Sequence, residues 1–151
     1  VLAQISDLCT SEGFAPDYMI ALRDAILEKD VYVRVMMEES AFNGLENRAG
    51  VRWLTEQLEG SGKEDHIDLR FSGNKMHNKA LLIDEEFVVV GSQNFHYSAW
   101  GSSSLTEYNI ATDDPSAIEE FLREYEYWWD QAIPVEDIME QEDILAEINS
   151  Q

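Results

Sequence analysis

At 151 residues, with 44% hydrophobic side chains and four tryptophans, the chain has apolar material for one domain with a true core and is not a disordered segment. A formal charge of −21 argues against sequence-independent binding to DNA or RNA, which depends on Lys and Arg neutralising phosphates. The single cysteine, Cys9, excludes an intrachain disulfide and a Cys-based zinc site, and no apolar run reaches the ~20 residues of a membrane span.

In chain order, residues 1–5 (Val-Leu-Ala-Gln-Ile) read as a buried strand followed by a polar loop over 6–15. A sequence that opens on Val inside a strand is expected of a piece cut from a longer protein; nothing in it resembles a signal peptide, and its compartment stays open. Pro16 suits the first position of a helix whose apolar face is Tyr18, Met19, Leu22, Ala25 and Ile26 and which Asp30 ends. The β-branched run over 31–37 predicts a strand parallel to the first, since the helix between them provides a crossover. Residues 38–48 read as a loop, and 50–58 as a helix stopped by Gly60 and Gly62. His66 to Phe71 alternates as a strand, with His66 in a structural role.

Two apolar runs follow, Lys79-Ala80-Leu81-Leu82-Ile83 and Phe87-Val88-Val89-Val90, separated by Asp84-Glu85-Glu86. That pattern predicts a hairpin turning near Glu85. Such a hairpin sets Lys79 opposite Gly91 and His77 opposite Gln93, with His77 and Lys79 on one face. Ser92 and Asn94 then arrive at the same end, so an imidazole, an ammonium, a hydroxyl and an amide gather where Gly91 lets the backbone come close. Asp84, at the far end of its strand, reads as a turn residue.

Downstream, 105–111 predicts a strand carrying Glu107, and Asp114-Pro115 a capped helix with Ile118, Phe121, Leu122, Tyr125 and Trp128/Trp129 on its apolar face. At this spacing the aromatic run favours packing against the sheet over a membrane interface. Pro134 breaks the helix, dividing a domain over 1–133 from an acidic, helical extension over 134–151. The elements sum to an α/β fold, a mixed sheet flanked by helices. Six of the ten basic residues lie between Arg48 and Lys79, whereas 80–151 holds only Arg123 against seventeen acids. The acidity reads as a well-solvated surface, and this distribution leaves room for a locally positive mouth on the acidic body.

The spacing H-x-K-x4-D (His77, Lys79, Asp84), followed after six residues by G-S-x-N (Gly91, Ser92, Asn94), resembles the signature of the phospholipase D superfamily. The likeness extends over about residues 1–132. It implies that His77 is the nucleophile or its acid/base partner, that Lys79 and Asn94 hold the non-bridging oxygens, and that Ser92 supports the pocket. It further implies that Glu107 is the acid found after the motif, fixing the imidazole tautomer as such a histidine requires. Gln93 and His96 are candidate lining residues. No metal or cofactor is implied, and no ligand spacing for one is visible.

The leading expectation is a phosphodiester-cleaving or phosphatidyl-transferring half-enzyme resembling bacterial cardiolipin synthases, working through a phosphohistidine on a phospholipid. It needs a second such domain, from the same parent chain or a second copy, and the parent could associate with a membrane surface. A single-motif homodimeric nuclease fits the length but not the charge. A non-catalytic pairing half is disfavoured by the complete motif.

Overall fold

The computed structural model describes residues 1–5, 17–39, 44–93 and 106–150. Seven strands form one mixed sheet: β1 (Leu2–Ile5), β2 (Val33–Glu38), β3 (Ile67–Ser72), β4 (Lys79–Ile83), β5 (Phe87–Gly91), β6 (Asn109–Thr112) and β7 (Ile133–Pro134). Their order is β6-β5-β4-β1-β2-β3-β7. The pairs β1–β2 and β2–β3 are parallel, as the crossover expectation requires, and the remaining pairs are antiparallel. Helices α1 (Asp17–Lys29), α2 (Gly44–Leu58), α3 (Pro115–Gln131) and α4 (Val135–Ser150) complete the expected α/β arrangement.

Strand alternation divides the core in two. Val33, Val35 and Met37 of β2, with Leu69 and Phe71 of β3, pack against Met19 and Ile26 of α1 and Leu54 and Leu58 of α2. Met36 points the other way, to Tyr125 and Trp129 of α3, and Leu82 and Val88 of the hairpin meet Ile118 of the same helix. The end of α1 is set by Asp30, which takes a positive φ of 55°. The Lys63 ammonium lies 2.7 Å from the Leu27 carbonyl and 2.7 Å from the Asp30 carboxylate, placing a cation where the helix dipole favours one.

The loop expected over 38–48 is helical from Gly44 onward. What hid the first turn is that its inward residues are polar. Asn47 is fully buried, its amide donating to the Glu38 carbonyl at 2.8 Å, and Arg48 is buried over the Phe71 ring at 4.9 Å. His66 stands in a 3-10 turn (Glu64–His66) ahead of β3 and stacks on Tyr32 at 4.0 Å.

α3 begins as its sequence predicts. Asp114 accepts the N–H groups of Ser116 (2.7 Å) and Ala117 (3.4 Å), which holds its carboxyl below the usual range, and Pro115 follows the cap. Trp129 is buried with the Arg34 guanidinium 4.2 Å and the Arg70 guanidinium 4.3 Å from its ring centroid. Burial pushes the Tyr125 hydroxyl well above its ordinary pKa. Tyr125 and Trp129 thus belong to the core, while Tyr127 is exposed.

Beyond α3 the chain passes round the edge of the sheet, where Ile133 and Pro134 pair with Phe71 and Arg70 as a two-residue strand. Val135 is buried in the α1/α2 core, with Ile138 and Met139 packed against it. Glu142 holds Arg48 at 2.7 Å, so the first half of α4 is fastened to α2. Among the described residues no helix is long and apolar enough to cross a membrane.

Candidate active site

The motif sits at one end of the β4–β5 hairpin. Register pairs Ala80 with Val90 and Ile83 with Phe87, which carried one pair further sets Lys79 across from Gly91. The turn takes positive φ at both Asp84 (53°) and Glu85 (56°), with the Glu86 N–H donating to the Ile83 carbonyl at 3.0 Å. Both values belong to the mirror-image turns that match strand twist. Asp84 therefore stands in the turn, at the opposite end of β4 from His77.

His77 lies two residues before β4 and is exposed, while its neighbour Met76 is buried beneath α3. The Lys79 ammonium donates to the His77 backbone carbonyl at 2.8 Å, which turns the cation toward the main chain at the start of the motif. At the other strand end, Ser92 is a junction. Its hydroxyl donates to the Glu107 carboxylate through a short contact and accepts the Tyr108 N–H at 3.1 Å, and its own N–H donates to the Tyr108 carbonyl at 3.1 Å. The Asn109 amide donates to the Gln93 side-chain oxygen at 2.8 Å.

Glu107 is not in a strand. β6 starts at Asn109, because the Ser92 hydroxyl takes the Tyr108 N–H that a backbone carbonyl would otherwise accept. Glu107 is half-buried and bonded to Ser92, at the edge of the sheet. Gly91 is demanded by this packing. A Cβ there would stand 2.7 Å from the Asn109 Cα and closer still to the Tyr108 carbonyl oxygen and the Asn109 side chain. The close approach expected at Gly91 is thus made by β6. Asn94 and His96 lie outside the described residues.

A cavity of about 370 Å³ opens at the motif, with His77, Lys79 and Gly91 on one side and Glu120, Phe121, Glu124 and Trp128 of α3 on the other. Sequence reasoning missed the two carboxylates, although Glu120, Glu124 and Trp128 follow one another at the four-residue spacing of a helix face. The expected positive mouth is likewise reduced. Of the six basic residues between 48 and 79, Arg48 is engaged by Glu39 and Glu142, Lys63 by Asp30 and Arg70 by Asp68. A larger cavity of about 900 Å³, between α2, β3 and α4, contains no motif residue.

A mixed sheet between helices, with a histidine and a lysine at the start of one hairpin strand and a Gly-Ser pair at the end of the next, defines a phospholipase D-like domain. The chain belongs to that family: the model for the cardiolipin synthase, PLD-like domain matches residues 5–129. Among solved structures it is similar to Nuc of Salmonella typhimurium, a phospholipase D family member, at 27% identity and TM-score 0.61, covering 88% of this chain and 78% of that one. NucT from Helicobacter pylori shares the fold at 16% identity and TM-score 0.63, with 88% and 80% covered. So does phosphatidylserine synthase of Haemophilus influenzae Rd KW20, at 12% identity and TM-score 0.64, with 88% of this chain but 33% of that one covered. No curated protein matches the chain.

Proposed function

We propose that the domain cleaves or transfers phosphodiesters through a phosphohistidine at His77, with a phospholipid-type substrate. The observation that carries the reading is that His77, Lys79 and Gly91 line one cavity at the end of the hairpin, with the Lys79 ammonium bonded to the His77 backbone carbonyl. In the reaction, an imidazole nitrogen of His77 forms a bond to phosphorus as the bond to the leaving alkoxide breaks. A second imidazole gives that alkoxide its proton. It then takes one from water or an acceptor alcohol, whose oxygen displaces His77 and restores the free imidazole. Lys79 and Asn94 hold the non-bridging oxygens, where charge stabilisation is worth several kcal/mol by analogy with oxyanion donors. Ser92 and Glu107 are coupled by their hydrogen bond and support the pocket from the β5 side.

The phospholipid preference rests on Glu120 and Glu124 beside the motif and on the charge of −21, both of which oppose a polyanionic strand. A second reading, a single-motif homodimeric nuclease, is supported by the likeness to Nuc, of which this chain covers 78%. The test presents fluorescent phosphatidylglycerol, fluorescent phosphatidylcholine and single-stranded DNA to the protein in excess EDTA. Lipid turnover without DNA cleavage is expected. DNA cleavage with the lipids untouched establishes the second reading, and activity lost to chelator and restored by Zn²⁺ or Mg²⁺ overturns the phosphohistidine route in favour of metal-assisted hydrolysis.

A further inference from the structure

The cavity of about 900 Å³ between α2, β3 and α4 has no part in the proposed chemistry and lies away from the motif. Lys79 pairs with Ile5, which is level with Met37 and Phe71 near the end of the parallel strands, whereas the cavity runs along the start of β3, from Ile67 to Arg70. Its floor is apolar: Leu69 and Val135 are buried there, and Ile67 and Met139 are half-buried. Its walls are acidic. Glu56 stands on α2, Glu64 and Asp65 on the turn before β3, and Glu136, Glu140 and Asp143 on α4. The cations among the lining residues are Arg52 and Arg70, and Arg70 is already committed to Asp68 and to the Trp129 carbonyl. Glu136, Met139, Glu140 and Asp143 recur at three- and four-residue spacing, so they share one face of α4. Like charges at that spacing destabilise a helix, and α4 has no basic residue in its last turn to offset them. The three carboxylates are exposed and form no ion pair among the described residues. The row therefore costs the helix stability and gains nothing within the domain.

We propose that this groove is a docking site for a basic amphipathic helix of a partner protein. An apolar floor between charged walls receives such a helix along its length: the partner's apolar residues meet Ile67, Leu69 and Met139, and its Lys and Arg meet the carboxylates on either side. Charge selects the occupant. A second copy of this chain brings another −21 to an acidic groove and is repelled, as are a nucleic acid and an anionic membrane surface. A small cation would answer the carboxylates and leave the apolar floor uncovered. Because the groove and the motif lie on different parts of the sheet, a partner held here positions the domain without covering His77.

Fluorescence anisotropy with a labelled peptide of leucine and lysine, about 15 residues long with its leucines on one helical face, measures docking without a substrate. The wild-type chain is expected to bind this peptide at physiological ionic strength. It is expected not to bind a version with glutamate for lysine, and to bind a version of scrambled order more weakly. The triple variant Glu136→Gln/Glu140→Gln/Asp143→Asn is expected to bind about tenfold more weakly, with a melting temperature no lower than wild type. Glu28→Gln/Glu119→Gln/Asp130→Asn removes as many charges from exposed positions outside the groove and is expected to bind like wild type. Thr55→Lys, exposed on the α2 wall, is also expected to weaken binding, and it decides by itself if the first triple variant misfolds. No binding by wild type, equal binding of the scrambled peptide, or equal weakening in both triple variants each overturns the inference. So does binding that is lost instead in Glu120→Gln/Glu124→Gln, which would put the peptide at the motif cavity. No turnover is read, so an inert His77 would leave the groove standing, and an empty groove would leave the chemistry.

Discussion

Substituting Gly91 by alanine perturbs the point where the hairpin and the edge strand come closest. The new Cβ would lie 2.7 Å from the Asn109 Cα, against the ~3.5–4.0 Å at which carbon atoms rest, so β6 must retreat by about 1 Å. Of the closer contacts, the Tyr108 backbone carbonyl cannot swing away, and the Asn109 side chain can do so only by giving up its hydrogen bond to Gln93. Overpacking of this kind costs roughly 1–3 kcal/mol, which for a chain of this size lowers the melting temperature by about 2–12 °C. The same retreat pulls Glu107 from Ser92, and misplacing site groups by 1 Å costs on the order of 10²-fold in turnover. The assay pairs denaturant unfolding with initial rates on one preparation. Gly73→Ala serves as the control, since its nearest added contact is an ordinary 3.8 Å to the Gln131 carbonyl. A Gly91→Ala protein with wild-type midpoint and wild-type turnover would refute the packing argument.

His77→Ala is expected to abolish turnover with no loss of stability, because the side chain is exposed; residual activity in a folded sample removes His77 as nucleophile. Glu85→Gly is expected to raise stability by about 0.5–1 kcal/mol, since φ of 56° strains any residue with a Cβ, and an unshifted urea midpoint would contradict it. Arg48→Ala is expected to cost about 1–2 kcal/mol, from lost packing on Phe71 and lost bonds to Glu142 and Glu39, whose partly exposed carboxylates stay hydrated. Hydrogen exchange should show α4 loosening first. The bond to Arg48 holds the Glu142 carboxyl, and the bond to Arg34 holds that of Glu126, below the ordinary value of 4.5. Their contribution is therefore complete above pH 4.5 and is lost as pH falls through the lowered values. Acid unfolding of Arg48→Ala should show a shallower pH dependence below 4.5 than wild type, and identical slopes would rule out the linkage.

Local chemistry made much of this legible. The hairpin followed from two β-branched runs around three acids, and α3 from Asp114-Pro115 and its apolar spacing. What escaped depends on partners distant in sequence. Nothing near Asn47 and Arg48 announces a helix, because their partners are the Glu38 carbonyl and Glu142, the latter 94 residues away from Arg48. β7 is two residues long and has no pattern to detect. The strand expected over 105–111 begins only at Asn109, where the Ser92 hydroxyl takes the Tyr108 N–H from the ladder. Likewise, the cluster of basic residues looked like a positive mouth until three of them were found in ion pairs.

The position of β1 bears on how the domain could be taken apart. Leu2 pairs with Arg34 on one side and with Leu82 on the other, so the first strand of the chain lies in the interior of the sheet. Withdrawing it would not fray an edge but open a slot, with β2, β3 and β7 on one side and the motif hairpin with β6 on the other. The slot spans four residues, is hydrogen-bonded along both walls and is parallel to one neighbour but antiparallel to the other, so it admits a strand in one direction only. Domains built this way lend themselves to complementation by a separate peptide. In this chain the strand that would be exchanged is the one that joins the motif to its scaffold.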